Sequence, residues 1–356
     1  MRSSTRARRL AATIVAALAV VLPATLLTPP AQAATADAGL FGSADPAYDG
    51  AFRQSLAILG LVAAKAPVPA SATAWLTAQQ CPDGSFQAYR ADVGQPCSVP
   101  DPEAFSGPDS NSTALSATAL RAVGRTSSAA RAIAVLLRAQ NADGGWGYTL
   151  GGASDVNSTG LSLAALRGAP SSAVTARAIS RAMGYLRRVQ VPCTAPTATR
   201  FGLPFQGGQP ANPLASVQAL VGIAGTLPAP SVAGTSVVGT RCGDPLIQQV
   251  SAYVARQVLA GKGAIPSAYE DGAADWNATA AGVVGLAAAG AAPGAVTTGI
   301  RALGRNVNAY VGSGSTASPA AAGTLIQAAV LAGAAPRSFG TGRTNLVAVL
   351  LATQRR

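Results

Sequence analysis

Three copies of one short phrase recur along this 356-residue chain, Asp109-Ser110-Asn111-Ser112-Thr113, Asp155-Val156-Asn157-Ser158-Thr159 and Asp275-Trp276-Asn277-Ala278-Thr279. Each runs directly into an Ala- and Leu-rich segment with helical spacing, and each reaches a leucine at the same offset, at Leu120, Leu166 and Leu286. Self-similarity at intervals of a few tens of residues means that one supersecondary unit is used repeatedly and buries its apolar face against its neighbours. Asn212 through Leu220 fits the same slot with one residue fewer, and Asp49 through Leu61 and Pro319 through Val330 supply a first and a last copy. These segments are nearly free of charge and rich in small residues, which allow helices to approach closely, so they are expected to lie inside.

A second type of segment follows each of them, over 70–80, 127–140, 173–190, 245–258, 296–311 and 344–354. Here Arg and Gln alternate at helical spacing with Leu, Ile, Val and Tyr, the pattern of a helix with one face in water. Inner and outer helices alternating six times predict an all-α (α/α)6 toroid over residues 34–356, a single domain.

Two copies of a turn phrase, Gln80-x-x-Asp83-Gly84-Ser85-Phe86 and Gln140-x-x-Asp143-Gly144-Gly145-Trp146, close outer segments. Glycine at a helix C-terminus accepts the positive φ that ends the helix, and Asp bonds local backbone. The phrase resembles the repeat of the terpene cyclase and protein prenyltransferase superfamily. Its toroid is shared by the intrinsic factor and transcobalamin family. That resemblance implies the fold; it leaves function open, because the toroid serves cyclases, prenyltransferases and binding proteins alike.

The N-terminus carries Arg2, Arg6, Arg8 and Arg9, then an apolar run from Leu10 to Leu27, then Ala31-Gln32-Ala33. This is the pattern of a secretory signal peptide cleaved after Ala33, placing the protein outside the cell or in a bacterial envelope. Loss of its four arginines takes the formal charge from +12 to +8. The remaining arginines are dispersed along predicted helices rather than gathered in a stripe, so a nucleic-acid partner is not expected. Four cysteines in an exported chain imply two disulfides. Of the three possible pairings, Cys81 with Cys97 and Cys193 with Cys242 close local loops and are preferred.

No histidine is present. Ser-His-Asp and Cys-His catalysis and every His-containing zinc site are thereby excluded. Type II cyclases of the resembled superfamily protonate an alkene with the central acid of an Asp-x-Asp-Asp motif; the matching position here is Asn111, Asn157 or Asn277, and an amide is no strong acid. Glu270 and Asp271, with Asp275, approach a diphosphate-binding acidic motif but at altered spacing, and no metal or cofactor is expected.

Acids and aromatics concentrate in the outer-to-inner connections, which a toroid brings to one rim. The expected ligand-binding set is therefore Asp109, Asn111, Trp146, Tyr148, Asp155, Asn157, Tyr269, Glu270, Asp271, Asp275, Trp276 and Asn277. The leading expectation is an exported, non-catalytic toroid binding a bulky small molecule, corrinoid- or isoprenoid-like, at this rim. A membrane transporter or a second protein bearing a closing domain would complete the site. The alternatives are a terpenoid cyclase or prenyltransferase-type enzyme with an unusual acid, and an envelope interaction module using the outer helices. Intact-mass and non-reducing peptide mapping of the exported protein should give a chain beginning at Ala34 with the two local disulfides; a long-range pair would overturn the connectivity.

Overall fold

The computed structural model describes residues 37–225, 240–268 and 270–355; the expected signal peptide and Tyr269 lie outside them. Helix α1 (Pro46–Ala63) is followed by α2 (Ala70–Ala78), α3 (Ser110–Ala122) by α4 (Thr126–Ala139), α5 (Val156–Gly168) by α6 (Ala173–Val189), and α7 (Pro213–Ala224) by α8 (Leu246–Ala260). A two-residue ribbon, β1 (Ile265–Pro266) against β2 (Ala274–Asp275), leads into α9 (Trp276–Ala288) and α10 (Pro293–Arg305). After a short α11 (Val307–Val311) and a 3-10 turn at Gly314–Thr316 come α12 (Pro319–Leu331) and α13 (Leu346–Ala352).

The odd-numbered helices α1 to α9 and then α12 form a closed ring. Each packs on the next, and α12 packs back on α1. Outside them α2, α4, α6, α8, α10 and α13 each cover their hairpin partner. Outer helices bury one stripe: in α4 it is Ser128, Ala129, Ala132, Val135 and Leu136. Inner helices bury nearly every side chain, as in α3, where all residues from Ser110 to Leu120 are buried. The (α/α)6 toroid read from the repeats is the observed architecture.

The repeat phrases now have separate structural tasks. The Asp of the inner phrase is the N-cap: Asp109, Asp155 and Asp275 accept through Oδ1 from the backbone N–H of Ser112, Ser158 and Ala278, and Asn212 does the same for Ala215. The hydroxyl at the fourth helical position ties down the incoming turn. Thr113, Thr159, Ser216 and Thr279 accept from the backbone N–H of Phe86, Trp146, Leu203 and Ile265 at 2.8–3.0 Å. Thr113, Ser216 and Thr279 in turn donate to the carbonyl of their own cap residue.

In the turn phrase, Gln80 donates to the carbonyls of Gly84 and Ser128, and Gln140 to those of Gly144 and Ala178, so each turn is stapled to the next outer helix. Gly144 has φ +95°, and a Cβ there would sit 2.4 Å from the Arg181 carbonyl oxygen, which forces glycine.

The sixth turn is split between the two ends of the described chain. Gln354, closing α13, donates to the Gly39 carbonyl, and Gly39 lies at φ +93° against Ser71 as Gly84 lies against Arg131. Asp37-Ala38-Gly39-Leu40-Phe41 thus completes the last repeat, with the Phe41 N–H held by Gln54 as that of Phe86 is by Thr113. Backbone bonds between Leu40 and Arg355 and between Gly39 and Arg355, with an Arg355–Asp37 ion pair, close the ring.

The two disulfides are Cys81–Cys97 and Cys193–Cys242, across 16 and 49 residues. In the loop-entropy model they contribute about 3 and about 4 kcal/mol. One predicted outer segment is corrected: 296–311 is not a single helix. Asn306 breaks it, with φ −121° and its side-chain amide turned back to the Ala302 carbonyl, and α11 turns inward.

Inner helices touch through glycine. A Cβ on Gly222 would meet the Gly160 carbonyl oxygen at 2.1 Å, and one on Gly323 the Leu56 carbonyl oxygen at 2.2 Å. Backbone cannot yield as a side-chain tip can, so Gly222→Ala should cost about 1–3 kcal/mol in urea denaturation. Gly294→Ala, on α10 with nothing within 4 Å, should be neutral or stabilise by up to about 1 kcal/mol.

Candidate functional site

The inner ring encloses a lumen of about 410 Å³ to which all six inner helices contribute. Lining residues recur at the second, sixth and ninth helical positions, one stripe per helix: Leu214, Gln218 and Val221 on α7, Asn277, Ala281 and Val284 on α9, Ala320, Thr324 and Gln327 on α12. On α1 the kink at Asp49 shifts the count, and Phe52 and Leu56 take the equivalent places. Leu115 and Leu161 occupy the sixth position of α3 and α5. The wall is aliphatic, with a few polar groups set into it.

That register explains the third element of the inner phrase. Asn111, Asn157 and Asn277 all stand at the second helical position, the tier nearest the connecting loops. Asn277 lines the lumen. The Asn111 amide donates to the Asn157 carbonyl oxygen at 3.2 Å, and Asn157 donates in turn to Gln218. Asp caps, Thr clamps, and Asn faces the ring's interior.

Other residues expected at the site are placed differently. Asp109 and Asp155 are buried as caps, not on the lumen wall. Burial pushes the Asp109 carboxyl up to about 7 although the Ser112 backbone N–H and other donors oppose it, and its Oδ2 has no hydrogen-bond partner. Asp155 is raised for the same reason, but both its oxygens are bonded, to the Ser158 N–H and hydroxyl. Tyr148 is half-buried beside Asp109 and is raised to about 12, first by burial and then by that neighbouring charge. Asp275 and Trp276 are partly buried, Trp276 packing on the α9–α12 side of the core. Glu270 and Asp271 are exposed on the turn between β1 and β2.

The expected aromatic rim needs correction. Trp146 is 1% exposed, its indole N–H donating to the Leu136 carbonyl inside the core, and Phe86 and Phe201 are buried equally deeply. The glycine turn brings this ring back between its own outer helix and the next hairpin, where it fills the wedge; it offers no face to a ligand. Phe105 and Phe205 are exposed.

Sequence reasoning missed Gln218, Tyr310, Thr324 and Gln327. Tyr310 is carried to the lumen by α11, the segment that leaves the outer ring at Asn306. Gln218, Thr324 and Gln327 could have been found by extending the repeat register from Asn277 to the sixth and ninth positions. Asp49 is the acid on the lumen wall, and its carboxylate is paired with Arg53. Among the described residues no three His, Cys, Asp or Glu side chains gather to hold a metal ion.

No family profile and no curated protein sequence matches the chain. Solved structures do. ent-Copalyl diphosphate synthase from Streptomyces platensis superposes with a TM-score of 0.50 at 17% identity, over 80% of this chain and 50% of that one. The fold is a terpene-cyclase-type α/α toroid. A protein from Actinoplanes (TM-score 0.49, 16% identity, 79% of this chain and 90% of that one) and the type II terpene cyclase MstE from Scytonema (0.44, 15%, 79% and 88%) are also similar. The chain spans about half the length of the Streptomyces synthase.

Within this toroid, the buried Asp109 gives stability a pH dependence of definite sign. Its folded value lies above the ordinary 3.8, so between about 4 and about 7 the native state binds the proton more tightly, and stability falls as pH rises through that window. The slope reaches at most about 1.4 kcal/mol per pH unit. Asp109→Asn keeps a good N-cap and removes the titration. Urea midpoints at pH 5 and pH 8 should differ less in the variant than in the parent.

Proposed function

We propose that the protein is exported and binds a bulky, mainly apolar molecule of isoprenoid class in the toroid lumen. The carrying observation is the lumen itself: about 410 Å³, walled by Phe52, Leu56, Leu115, Leu161, Leu214, Val221 and Val284, with the Asn277 amide at its upper tier. That size falls in the range of small-molecule sites, roughly 300–1,000 Å³, as does the combination of apolar wall and sparse polar groups. Asn277, with Asn111 and Asn157 on the same tier, would contact the ligand near its entrance. Asp109, Asp155 and Asp275 act behind them by fixing the helix ends. Tyr148 and Trp276 lie at the same rim. The corrinoid option draws on no residue of the lumen, whereas the name of one similar structure, ent-copalyl diphosphate synthase, supports the isoprenoid class. The charged start, apolar run and two disulfides support export, and an envelope protein that delivers or takes up the ligand would meet this rim.

A second reading is a cyclase with an unusual acid. What favours it is Asp109, a carboxyl raised to about 7 with a free oxygen, standing two residues before Asn111. Glu270 and Asp271 are poorer candidates because they are exposed on a turn.

Incubation of the purified protein with farnesol, geranylgeraniol and squalene, followed by separation and extraction, distinguishes the readings. Recovery of unchanged ligand with micromolar affinity, weakened about tenfold or more by Ala281→Trp, supports the binding lumen. A cyclised product lost in Asp109→Asn would support the enzyme. Absence of binding by every isoprenoid tested would remove both.

A further inference from the structure

Among the described residues, one residue of the lumen wall carries a buried polar atom that the protein leaves unserved. Gln327, at the ninth position of α12, is 2% exposed and lines the cavity, and its Oε1 has no hydrogen-bond partner. Its orientation is fixed by its other end: Nε2 donates to the Gly323 carbonyl one turn back, so flipping the amide would set oxygen against oxygen. The free atom is therefore an acceptor. Leaving a buried acceptor unpaired in an aliphatic wall is costly, and Leu at this position would extend the wall without that cost.

A second polar group lies close by. Tyr310 also lines the lumen, and its hydroxyl lies beside that of Thr324. Thr324 donates its own proton to the Ala320 carbonyl, so toward Tyr310 it can only accept. Thr324 and Gln327 are three residues apart on one helix, hence on one face. Tyr310 and Gln327 thus address the same stretch of lumen, one able to donate and the other only to accept.

The charges nearby are unsuited to a diphosphate. Asp49 is on the wall, Asp275 acts on Tyr310 through space, and no Lys or Arg lines the cavity among the described residues. Arg53, the nearest cation to Asp49, is buried and spends its donors on Asp49 and on the carbonyls of Phe41, Ala44 and Asp45. A diphosphate brings acceptors and negative charge to a place that offers an acceptor and carboxylates.

Resting on the lumen reading above, we infer that the ligand carries an uncharged hydroxyl head, which donates to Gln327 Oε1 and accepts from the Tyr310 hydroxyl. The ligand class is then an isoprenoid alcohol, acyclic or polycyclic, rather than a hydrocarbon or a diphosphate. A hydroxyl is the smallest group able to satisfy an acceptor and a donor together. Recognition by hydrogen bonds that a buried site would otherwise lack is also the strongest form of discrimination against an analogue missing the group.

Calorimetric or radioligand titration of the purified protein with geranylgeraniol, the hydrocarbon of the same chain length and geranylgeranyl diphosphate tests this. The alcohol should bind about tenfold or more tightly than either of the others. Gln327→Leu and, separately, Tyr310→Phe should each cut that preference to about threefold or less. Tyr310→Phe removes one oxygen and serves if Gln327→Leu fails to fold. Equal binding of alcohol and hydrocarbon, the result expected if water alone serves Gln327, overturns the inference and leaves the apolar lumen standing. Tightest binding of the diphosphate also overturns it. Failure of all three to bind removes the lumen reading and the inference with it.

Discussion

The hydroxyl at the fourth position of the inner helices is the contact on which the architecture turns. In four repeats a Thr or Ser accepts from a backbone N–H in the loop that leads to its own inner helix, that of Phe86, Trp146, Leu203 or Ile265. In three of those it also donates to the cap carbonyl. Each bond is worth only about 1 kcal/mol net, but its placement matters more than its strength. It fixes where the loop enters, and so how far its inner helix is rotated about its own axis. With rotation fixed in those four repeats, the sixth helical position faces inward on α3, α5, α7 and α9, joined by the second and ninth on α7 and α9. A lumen with a defined lining follows from a local hydrogen bond.

The same phrase therefore divides structure from function by position. Its first and last residues are consumed by the cap and the clamp, and its middle residue stands on the inward tier, where Asn277 lines the lumen and Asn111 and Asn157 bond onward to Asn157 and Gln218. This also decides what chemistry the entrance offers. In this chain the three middle positions are all Asn, so the upper tier presents amides that can donate and accept but cannot supply a strongly acidic proton. Acid is displaced one step outward to Asp109, where burial at a helix start raises its carboxyl rather than exposing it to a ligand.

The toroid was readable because its repeats share register: the inner phrases, their leucines and the alternating outer stripes all agree. The split sixth turn was not, since Asp37 to Phe41 makes sense as a turn only beside Gln354, at the far end of the described chain. The aromatic rim was misread for a related reason. Composition shows that Phe86 and Trp146 follow glycine turns, but not that the clamp on their own backbone N–H draws each ring inward, where it becomes core. Tyr310 was hidden by continuity. The helical pattern over 296–311 runs through Asn306, with Gly299 and Gly304 both still inside α10, and the Asn306 side chain bonds back to Ala302 where the helix stops.

Gln327 was hidden in a different way, by being surrounded with alanine. In α12 the neighbours Ala328 and Ala329 are fully buried, and a lone Gln in such a helix reads as a surface residue or an accident. Register removes that ambiguity, because the equivalent places on α7 and α9 are Val221 and Val284. Where two repeats place valine and one places an amide with an unserved oxygen, packing alone does not account for the third. The ring's near-symmetry makes its departures informative: the side that carries Gln327, Thr324 and Tyr310 stays polar as far as the ninth position, where α7 and α9 place valine. A molecule with one polar end and an apolar body is oriented by that asymmetry, and a uniformly apolar one is not.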